Sequence, residues 1–325
     1  MPIKGKHLLQ YLPHGINPKV FKPIHKTDPK LIEMKKKMFG NKSYDFVVFY
    51  NSRNINRKRT AQLMLAFRAF CDNLTKEQAS KCALVLHTEK ILDAGTDLPV
   101  VHSALSPDYT IVVTEDKFLP EAMNLLYNLA DVTANISSNE GFGLSCGESI
   151  MAGVPVIVNV TGGLQDQIGQ IDDDGKPVEF DYNFGTNNVG KYKKCGVWAK
   201  PVWPSTRYIQ GSPPTPYIFD DVCKWEDVAE AIMYWYLMPK EQREKCGLEG
   251  RRWALNEGNI NAPHMCEEFI KGMDYTLENF EPTTRFSLHT NAEHVGHKMP
   301  FDSMGFDIPK INTEEIEKQI KEIKI

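Results

Sequence analysis

The sequence predicts an α/β fold, a doubly wound parallel sheet with an N-terminal hinge segment and a C-terminal helical tail. Two observations support this prediction. Short apolar segments of strand length recur along the chain, and segments with apolar residues at helical spacing lie between them. Strands that alternate with helices form a parallel sheet covered by helices on both faces. The predicted domain occupies residues 45–280, between a lead-in at residues 1–44 and a tail at residues 281–325.

The lead-in is predicted to be an extended hinge or linker, because its many prolines break helices. The first unit of the domain is a strand at Asp45–Tyr50 followed by a helix at Lys58–Asn73. A run as apolar as DFVVFY is typical of a strand buried on both faces. The alternation continues with strands at residues 82–87, 109–113, 132–136 and 154–160, and with helices near residues 120–130 and from about residue 145.

After Gly162 the sequence becomes rich in Asp, Gly, Asn and Pro, which predicts an insertion or a long loop. Three segments with apolar residues at helical spacing then close the domain, at residues 225–237, 239–255 and 263–279. The aromatic cluster Tyr234–Tyr236 lies in the first of them. At that spacing its rings are predicted to pack in a core or an interface rather than to bind a ligand.

The tail at residues 281–325 is polar and ends in a predicted helix capped by Asn312. An apolar stripe on that helix should dock on another surface; it consists of Ile316, Ile320 and Ile323. The tail also holds His289, His294 and His297. These histidines lack the helical pattern and the acid of a zinc hydrolase, so they predict a solvated segment and no metal site.

The composition is that of an ordinary globular protein. Of 325 residues, 42% are hydrophobic and 25% are charged, which excludes wholesale disorder, a collagen-like repeat and a coiled coil. No apolar run approaches the roughly 20 residues of a membrane span, and the amino terminus lacks the apolar stretch of a secretory signal. Seven scattered cysteines indicate neither a disulfide framework nor a zinc site. We therefore expect a cytoplasmic protein without a transmembrane segment.

Charge is unevenly distributed along the chain. Residues 1–60 hold 14 Lys and Arg against three acids, although the net charge of the whole chain is −4. Such an asymmetry favours a partner that carries phosphate or another anion. For the run Met34–Met38 (MKKKM) alone, a solvated basic face is the simpler interpretation. The sequence contains no P-loop, no dinucleotide-binding glycine motif and no nucleic-acid-binding motif, so no nucleic-acid partner is expected.

The stretch Ile136–Val158 carries the most chemistry. It reads as a strand end, a glycine-containing turn, a helix start and another buried strand. Ligands of open parallel sheets bind at the carboxyl ends of strands, and Gly141 and Gly143 would let the backbone approach such a ligand closely. The helix that begins near Leu144 would point its free N–H groups at an anion, for which phosphate is the natural candidate.

Two carboxylates, Glu140 and Glu148, flank this turn. Carboxylates commonly accept hydrogen bonds from paired sugar hydroxyls, so one could bind a ribose and the other a transferred sugar. With the glycines alone, a tight structural turn with incidental acids would explain the pattern equally well. Cys146 lies at the helix start without a paired base and is interpreted as a packing thiol, and His14 as a structural residue of the hinge.

At these residues the sequence resembles the retaining GT-B glycosyltransferases, a group that includes glycogen synthases and sucrose synthases. The family's two glutamates separated by seven residues correspond to Glu140 and Glu148 in EGFGLSCGESIMAGVPVI. The family's upstream arginine and lysine correspond to Arg53 and Lys58. The usual glycine before the arginine is Ser52 here, and the usual glycine after the lysine is Arg59. The resemblance covers roughly residues 12–280.

The resemblance implies a Rossmann-like nucleotide-sugar-binding domain, corresponding to the carboxyl-terminal domain of GT-B enzymes. It implies transfer of a sugar from a UDP-, GDP- or ADP-sugar with retention of configuration and without a metal or a further cofactor. Arg53 and Lys58 would neutralise the leaving diphosphate, Glu140 would bind the donor sugar near the reacting centre, and Glu148 would bind the ribose. The donor turn would consist of Gly141, Phe142, Gly143 and Leu144.

In the family the acceptor binds a first domain that precedes the donor domain, and this chain begins where that first domain would end. We therefore expect either a glycosyltransferase that works with a separate acceptor-binding domain or chain, or a catalytically silent nucleotide-sugar-binding module. The intact set of four charged residues favours the enzyme, and the missing domain favours the module. A sugar-nucleotide epimerase on the same fold is a third possibility.

Overall fold

The computed structural model describes residues 11–280, except for 179–184, 186, 188, 189 and 214. The eight strands of the described residues are β1 (Phe46–Asn51), β2 (Cys82–His87), β3 (Thr110–Thr114), β4 (Val132–Asn135), β5 (Val156–Asn159), β6 (Ala199–Val202), β7 (Pro204–Ser212) and β8 (Thr215–Cys223). The α-helices of the described residues are α1 (Pro29–Phe39), α2 (Thr60–Asp72), α3 (Lys76–Ser80), α4 (Leu98–Leu105), α5 (Pro120–Leu129), α6 (Leu144–Met151), α7 (Trp225–Leu237), α8 (Lys240–Asn256) and α9 (Ala262–Glu278).

Six strands form one parallel sheet in the order β3-β2-β1-β4-β5-β6. The predicted doubly wound α/β fold is therefore confirmed. The strand order reverses between β1 and β4, and in such sheets the crevice at the reversal is where ligands bind.

Alternate residues of β1 enter two separate hydrophobic cores, because successive side chains of a strand point to opposite faces. Val47 and Phe49 pack with residues of α1, α5, α6 and α8 on one face. Phe46, Val48 and Tyr50 pack with residues of α2, α4 and α7 on the other. All five side chains are buried, which is why this strand is apolar throughout rather than alternating.

The extended conformation predicted for residues 1–44 is wrong for Pro29–Phe39, which form α1. The side chain of Asp28 caps this helix by accepting a hydrogen bond from the backbone N–H of Lys30 at 2.8 Å. Pro29 occupies the first turn, where a helix needs no N–H donor. The helix buries Leu31, Met34 and Phe39, so the proline that suggested extended chain starts a packed helix.

Of the two alternatives predicted after Gly162, an insertion or a long loop, the long loop is wrong for residues 199–223. There the chain adds β6 to the edge of the sheet and then forms the antiparallel hairpin β7–β8. Two of the prolines that suggested a loop lie where hairpins tolerate them: Pro204 begins β7 and Pro213 lies in the turn.

The three closing helices are confirmed as α7, α8 and α9. Trp235 is fully buried and the ring of Tyr236 packs edge-on against Phe46 and Phe70, as predicted for this cluster, whereas Tyr234 is largely exposed. None of the described helices is both long and apolar enough to span a membrane. The predictions for the tail at residues 281–325 lie outside the described residues.

Candidate functional site

A cavity of about 840 Å³ opens at the carboxyl edge of the sheet. Its lining comes from the segments that follow β1, β2, β3 and β4 and from the first turns of α6. All four charged residues predicted for the site line it: Arg53, Lys58, Glu140 and Glu148. Phe142, Gly143 and Leu144 of the predicted donor turn line it as well.

The turn before α6 depends on Gly143. This residue takes the left-handed conformation (φ 88°) as the N-cap of α6, and a Cβ here would lie 2.4 Å from the Cδ2 of Leu164. The turn is held from behind, because the amide of Gln167 donates to the carbonyl oxygens of Phe142 and Gly143. Leu144 and Ser145 begin α6 and line the cavity, and the N–H groups of the first two residues of a helix have no carbonyl partner within it.

Lys58 and Glu140 form an ion pair beneath this turn. The Lys58 Nζ bonds to the Glu140 Oε2, and each side chain is only 11% exposed. A 3₁₀ turn at Asn56–Lys58 brings the lysine there, and this turn is anchored to the strand end of β4 by the N–H of Ser138, which donates to the carbonyl oxygen of Arg57 at 2.8 Å.

Arg57 is a second cation at Glu140 that the sequence pattern did not single out. Its Nη1 lies 3.3 Å from the Glu140 Oε2 and donates to the carbonyl oxygen of Asn139 at 2.8 Å. Glu140 therefore lies between two cations. The signal for Arg57 was present in the cluster Arg57–Arg59, but only the fold shows which of these side chains turns toward the acid.

Arg53 lies at the rim rather than at Glu140. Its side chain is 70% exposed, and its Nε lies 3.8 Å from the Glu89 Oε1. Glu89 also accepts a hydrogen bond from the backbone N–H of Asn54 at 2.9 Å, and this bond is the main cause that lowers the pKa of Glu89. The loop after β1 is thus ordered while the guanidinium of Arg53 remains accessible to an anion in the cavity.

Arg59 stands where the family has a glycine, and it takes the left-handed conformation with φ 56°. A side chain other than glycine rarely adopts this region without compensation. Here the guanidinium bonds to the hydroxyl of Tyr208 and lies 3.8 Å from the Asp220 carboxylate. The hairpin β7–β8 therefore holds the arginine in place at the start of α2.

Glu148 lies one helical turn into α6, deeper in the cavity. Its Oε2 accepts a hydrogen bond from the hydroxyl of Tyr127 at 2.6 Å. Burial is the main cause that raises the pKa of Glu148 above its ordinary value. Tyr127 was not predicted as a site residue, because it reads as an apolar position of α5.

The sequence predicted purely structural roles for Cys146 and His14, and the two residues lie in different surroundings. Cys146 is fully buried and burial raises the pKa of its thiol, as expected of a packing residue. His14 lines the cavity, and its ring centroid lies 5.6 Å from that of Phe142. His14 thus contacts the turn before α6.

Residues 32–175 match the family described as "Glycosyl transferases group 1". This segment contains β1 to β5, the turn before α6 and all four charged residues that the sequence predicted for the cavity. Residues 32–175 are therefore similar to the group 1 glycosyltransferases.

Solved structures of glycosyltransferases share the fold of this chain. A glycosyltransferase from Rickettsia africae superposes with a TM-score of 0.57 at 17% identity, over 82% of this chain and 57% of that one. The carboxyl-terminal domain of a group 1 family protein from Francisella tularensis gives 0.50 at 15% identity, over 75% and 98%. Anabaena HepE in complex with UDP and glucose gives 0.54 at 14% identity, over 81% and 56%.

These identities show a shared fold, that of the carboxyl-terminal GT-B domain. The chain spans 57% of the length of the Rickettsia protein but covers nearly all of the isolated Francisella domain. No curated protein sequence matches the chain.

Proposed function

We propose that the cavity binds a nucleoside-diphosphate sugar, and that the chain transfers this sugar with retention of configuration and without a metal ion. One observation carries the proposal: the four charged residues predicted from the sequence and a helix N-terminus line one cavity at the reversal point of the sheet. The fold relative from Anabaena was solved with UDP and glucose, which supports a nucleotide sugar as the ligand class.

In the proposed complex the diphosphate lies at the N-terminus of α6. Breaking the bond between the sugar and the diphosphate leaves negative charge on phosphate, and fixed cations and backbone dipoles stabilise that charge without reorganisation. Arg53 offers a bidentate guanidinium from the rim, and Lys58 offers a point charge from below.

The position of Arg57 solves a difficulty with Lys58. In the structure Lys58 is paired with Glu140, so its turning toward a phosphate would leave a buried carboxylate without its nearest cation. Arg57 contacts the same carboxylate oxygen and would keep Glu140 neutralised during that movement. Glu140 could then accept hydrogen bonds from the hydroxyls of the donor sugar.

The second candidate is a nucleotide-sugar-binding unit that needs a separate acceptor-binding domain for catalysis. The match over nearly all of an isolated carboxyl-terminal domain favours it. In both candidates the division into residues 1–44, 45–280 and 281–325 stays a prediction.

Calorimetric titration of the chain with UDP, GDP, ADP and their sugars tests the cavity. One nucleoside diphosphate should bind. Arg53→Ala should weaken its binding by about 1.5–3 kcal/mol, as expected for lost hydrogen bonds to a charged group. Glu148→Ala should also weaken it. Arg68→Ala is the matched control, because Arg68 pairs with Asp72 on the surface and lies outside the cavity.

Unchanged affinity in both cavity variants would reject the pocket, and a requirement for magnesium would reject the metal-free mechanism. Release of the nucleoside diphosphate from its sugar separates the two candidates. An enzyme releases it with a saccharide acceptor present, whereas a binding unit holds the donor intact until an acceptor domain is added.

A further inference from the structure

A chain of hydrogen bonds crosses the floor of the cavity and ends at Glu148. It begins at His87, whose Nδ1 lies 2.8 Å from the Asn51 Oδ1. The amide nitrogen of Asn51 donates to the hydroxyl of Tyr127 at 2.9 Å, and that hydroxyl donates to the Glu148 Oε2 at 2.6 Å. The four residues come from β2, β1, α5 and α6, so the chain joins four elements that meet only in the folded protein.

The direction of these bonds is set by the donors available. The tyrosine hydroxyl carries a single hydrogen, and an ionised carboxylate can only accept. Because the amide of Asn51 donates to the hydroxyl oxygen of Tyr127, the hydroxyl hydrogen is directed at Glu148. If the amide of Asn51 were turned over, its oxygen and the Glu148 Oε2 would both need the single hydroxyl hydrogen of Tyr127. The Nδ1 of His87 lies 2.8 Å from the Asn51 Oδ1, and in the tautomer that carries the hydrogen on Nδ1 it donates to this oxygen and holds the amide in this orientation.

Packing does not require the hydroxyl of Tyr127. The side chain is fully buried, and its ring lies edge-on to Phe49, with centroids 5.1 Å apart, and to Phe21, with centroids 6.0 Å apart. A phenylalanine would make the same contacts. What the hydroxyl adds is an engagement with Glu148 Oε2, which leaves Oε1 to accept a hydrogen bond from a ligand.

We propose that Tyr127, held in place by Asn51 and His87, is a positioning residue that orients the Glu148 carboxylate toward the two hydroxyls of a ribose. The inference rests on the proposed function, in which Glu148 binds the ribose. It predicts that the hydroxyl of Tyr127 raises the affinity for a nucleotide with ribose hydroxyls and leaves the affinity for a nucleotide without them unchanged.

The test compares UDP with 2′,3′-dideoxy-UDP by calorimetric titration; GDP or ADP and its dideoxy form replace them if UDP does not bind. The unmodified protein should bind UDP at least tenfold more tightly than the dideoxy form, because hydrogen bonds to a carboxylate are lost. Tyr127→Phe should lower the affinity for UDP at least fivefold and change the affinity for dideoxy-UDP by less than twofold. If Tyr127 had only a structural role, the substitution would lower the affinity for both nucleotides by the same factor. That result would overturn the inference.

Asn51→Asp is the second variant, because it keeps the shape of the side chain and replaces the donor to Tyr127 by an acceptor. The hydroxyl hydrogen then has two competing carboxylates, so the preference for UDP over dideoxy-UDP should fall as it does in Tyr127→Phe. The added charge affects both nucleotides alike and cancels in the ratio. An unchanged ratio in this variant would also overturn the inference.

Glu148→Ala separates this inference from the proposed function. If the unmodified protein does not distinguish UDP from dideoxy-UDP, or if Glu148→Ala still distinguishes them, the assignment of Glu148 to the ribose fails. If Glu148→Ala abolishes the preference while Tyr127→Phe keeps it in full, only the positioning role of Tyr127 fails.

Discussion

Replacing Lys58 by methionine tests whether its buried ion pair with Glu140, near the turn before α6, stabilises the fold. Methionine keeps the length of the side chain and removes the charge. Lys58 and Glu140 are each 11% exposed, and removing one partner of a buried pair typically costs about 3–5 kcal/mol because it leaves an uncompensated charge. Arg57 remains 3.3 Å from the same carboxylate oxygen, so the loss should fall near the lower end, at about 3 kcal/mol.

Urea unfolding of four proteins measures this pair: the unmodified chain, Lys58→Met, Glu140→Gln and the double variant. The double variant should lose less stability than the two single variants together, with a coupling of about 1–3 kcal/mol. Arg68→Met is the matched control, since it breaks an ion pair whose partners are 43% and 47% exposed and should cost about 0.2–1 kcal/mol.

Two outcomes would refute the reasoning. Lys58→Met could cost no more than Arg68→Met, which would mean that water screens the pair despite its burial. The two single effects could also add fully in the double variant, which would mean that Lys58 and Glu140 do not stabilise one another.

Two further predictions concern pH and the turn before α6. Burial raises the pKa of Asp166 from 3.8 to about 6, so its ionisation costs folding free energy as the pH rises from about 4 to 6. Asp166→Asn keeps an acceptor for the hydroxyl of Tyr11 and should be more stable than the unmodified protein by up to about 3 kcal/mol in urea at pH 7, with little gain at pH 4; an equal gain at both would contradict this. Gly163→Ala would place a Cβ 2.3 Å from the carbonyl oxygen of Gly141 and 2.6 Å from the Cα of Phe142, and should destabilise the protein by about 1–3 kcal/mol. Gly141→Ala is its control, because a Cβ there has no atom within 4 Å in the described residues; urea midpoints that shift equally would show that crowding is not the cause.

The regular part of the fold could be read closely from local patterns. The strand Cys82–His87 and the helix Trp225–Leu237 have the bounds that their apolar patterns predict. Both are buried in the cores of the sheet, and burial imposes a run of apolar residues on a strand and an apolar face on a helix.

The errors lie where proline was taken as a sign of irregular chain. In α1 the proline occupies the first turn, and in the hairpin Pro204 begins β7. Proline excludes only positions whose N–H must donate, so its effect depends on its place in an element. That place is set by what the element packs against.

The sequence predicted those residues of the candidate site that lie in a single segment of the chain. Glu140, Gly143 and Glu148 lie within one turn and the helix that follows, and their chemistry follows from that local spacing. Arg57 and Tyr127 were missed. They reach the same two carboxylates from 83 and 21 residues away, and no local pattern marks a long-range hydrogen bond.

The sequence by itself determined the alternation of strands and helices, the glycine turn and the acids beside it. These features depend on neighbours within a few residues, where backbone geometry and periodic burial act directly on residue type. Only the tertiary structure decided that Lys58 pairs with Glu140, that Arg53 stays at the rim, and that a hydrogen-bonded chain reaches Glu148. Those contacts join strand ends distant in sequence, and only the parallel sheet brings them to one edge.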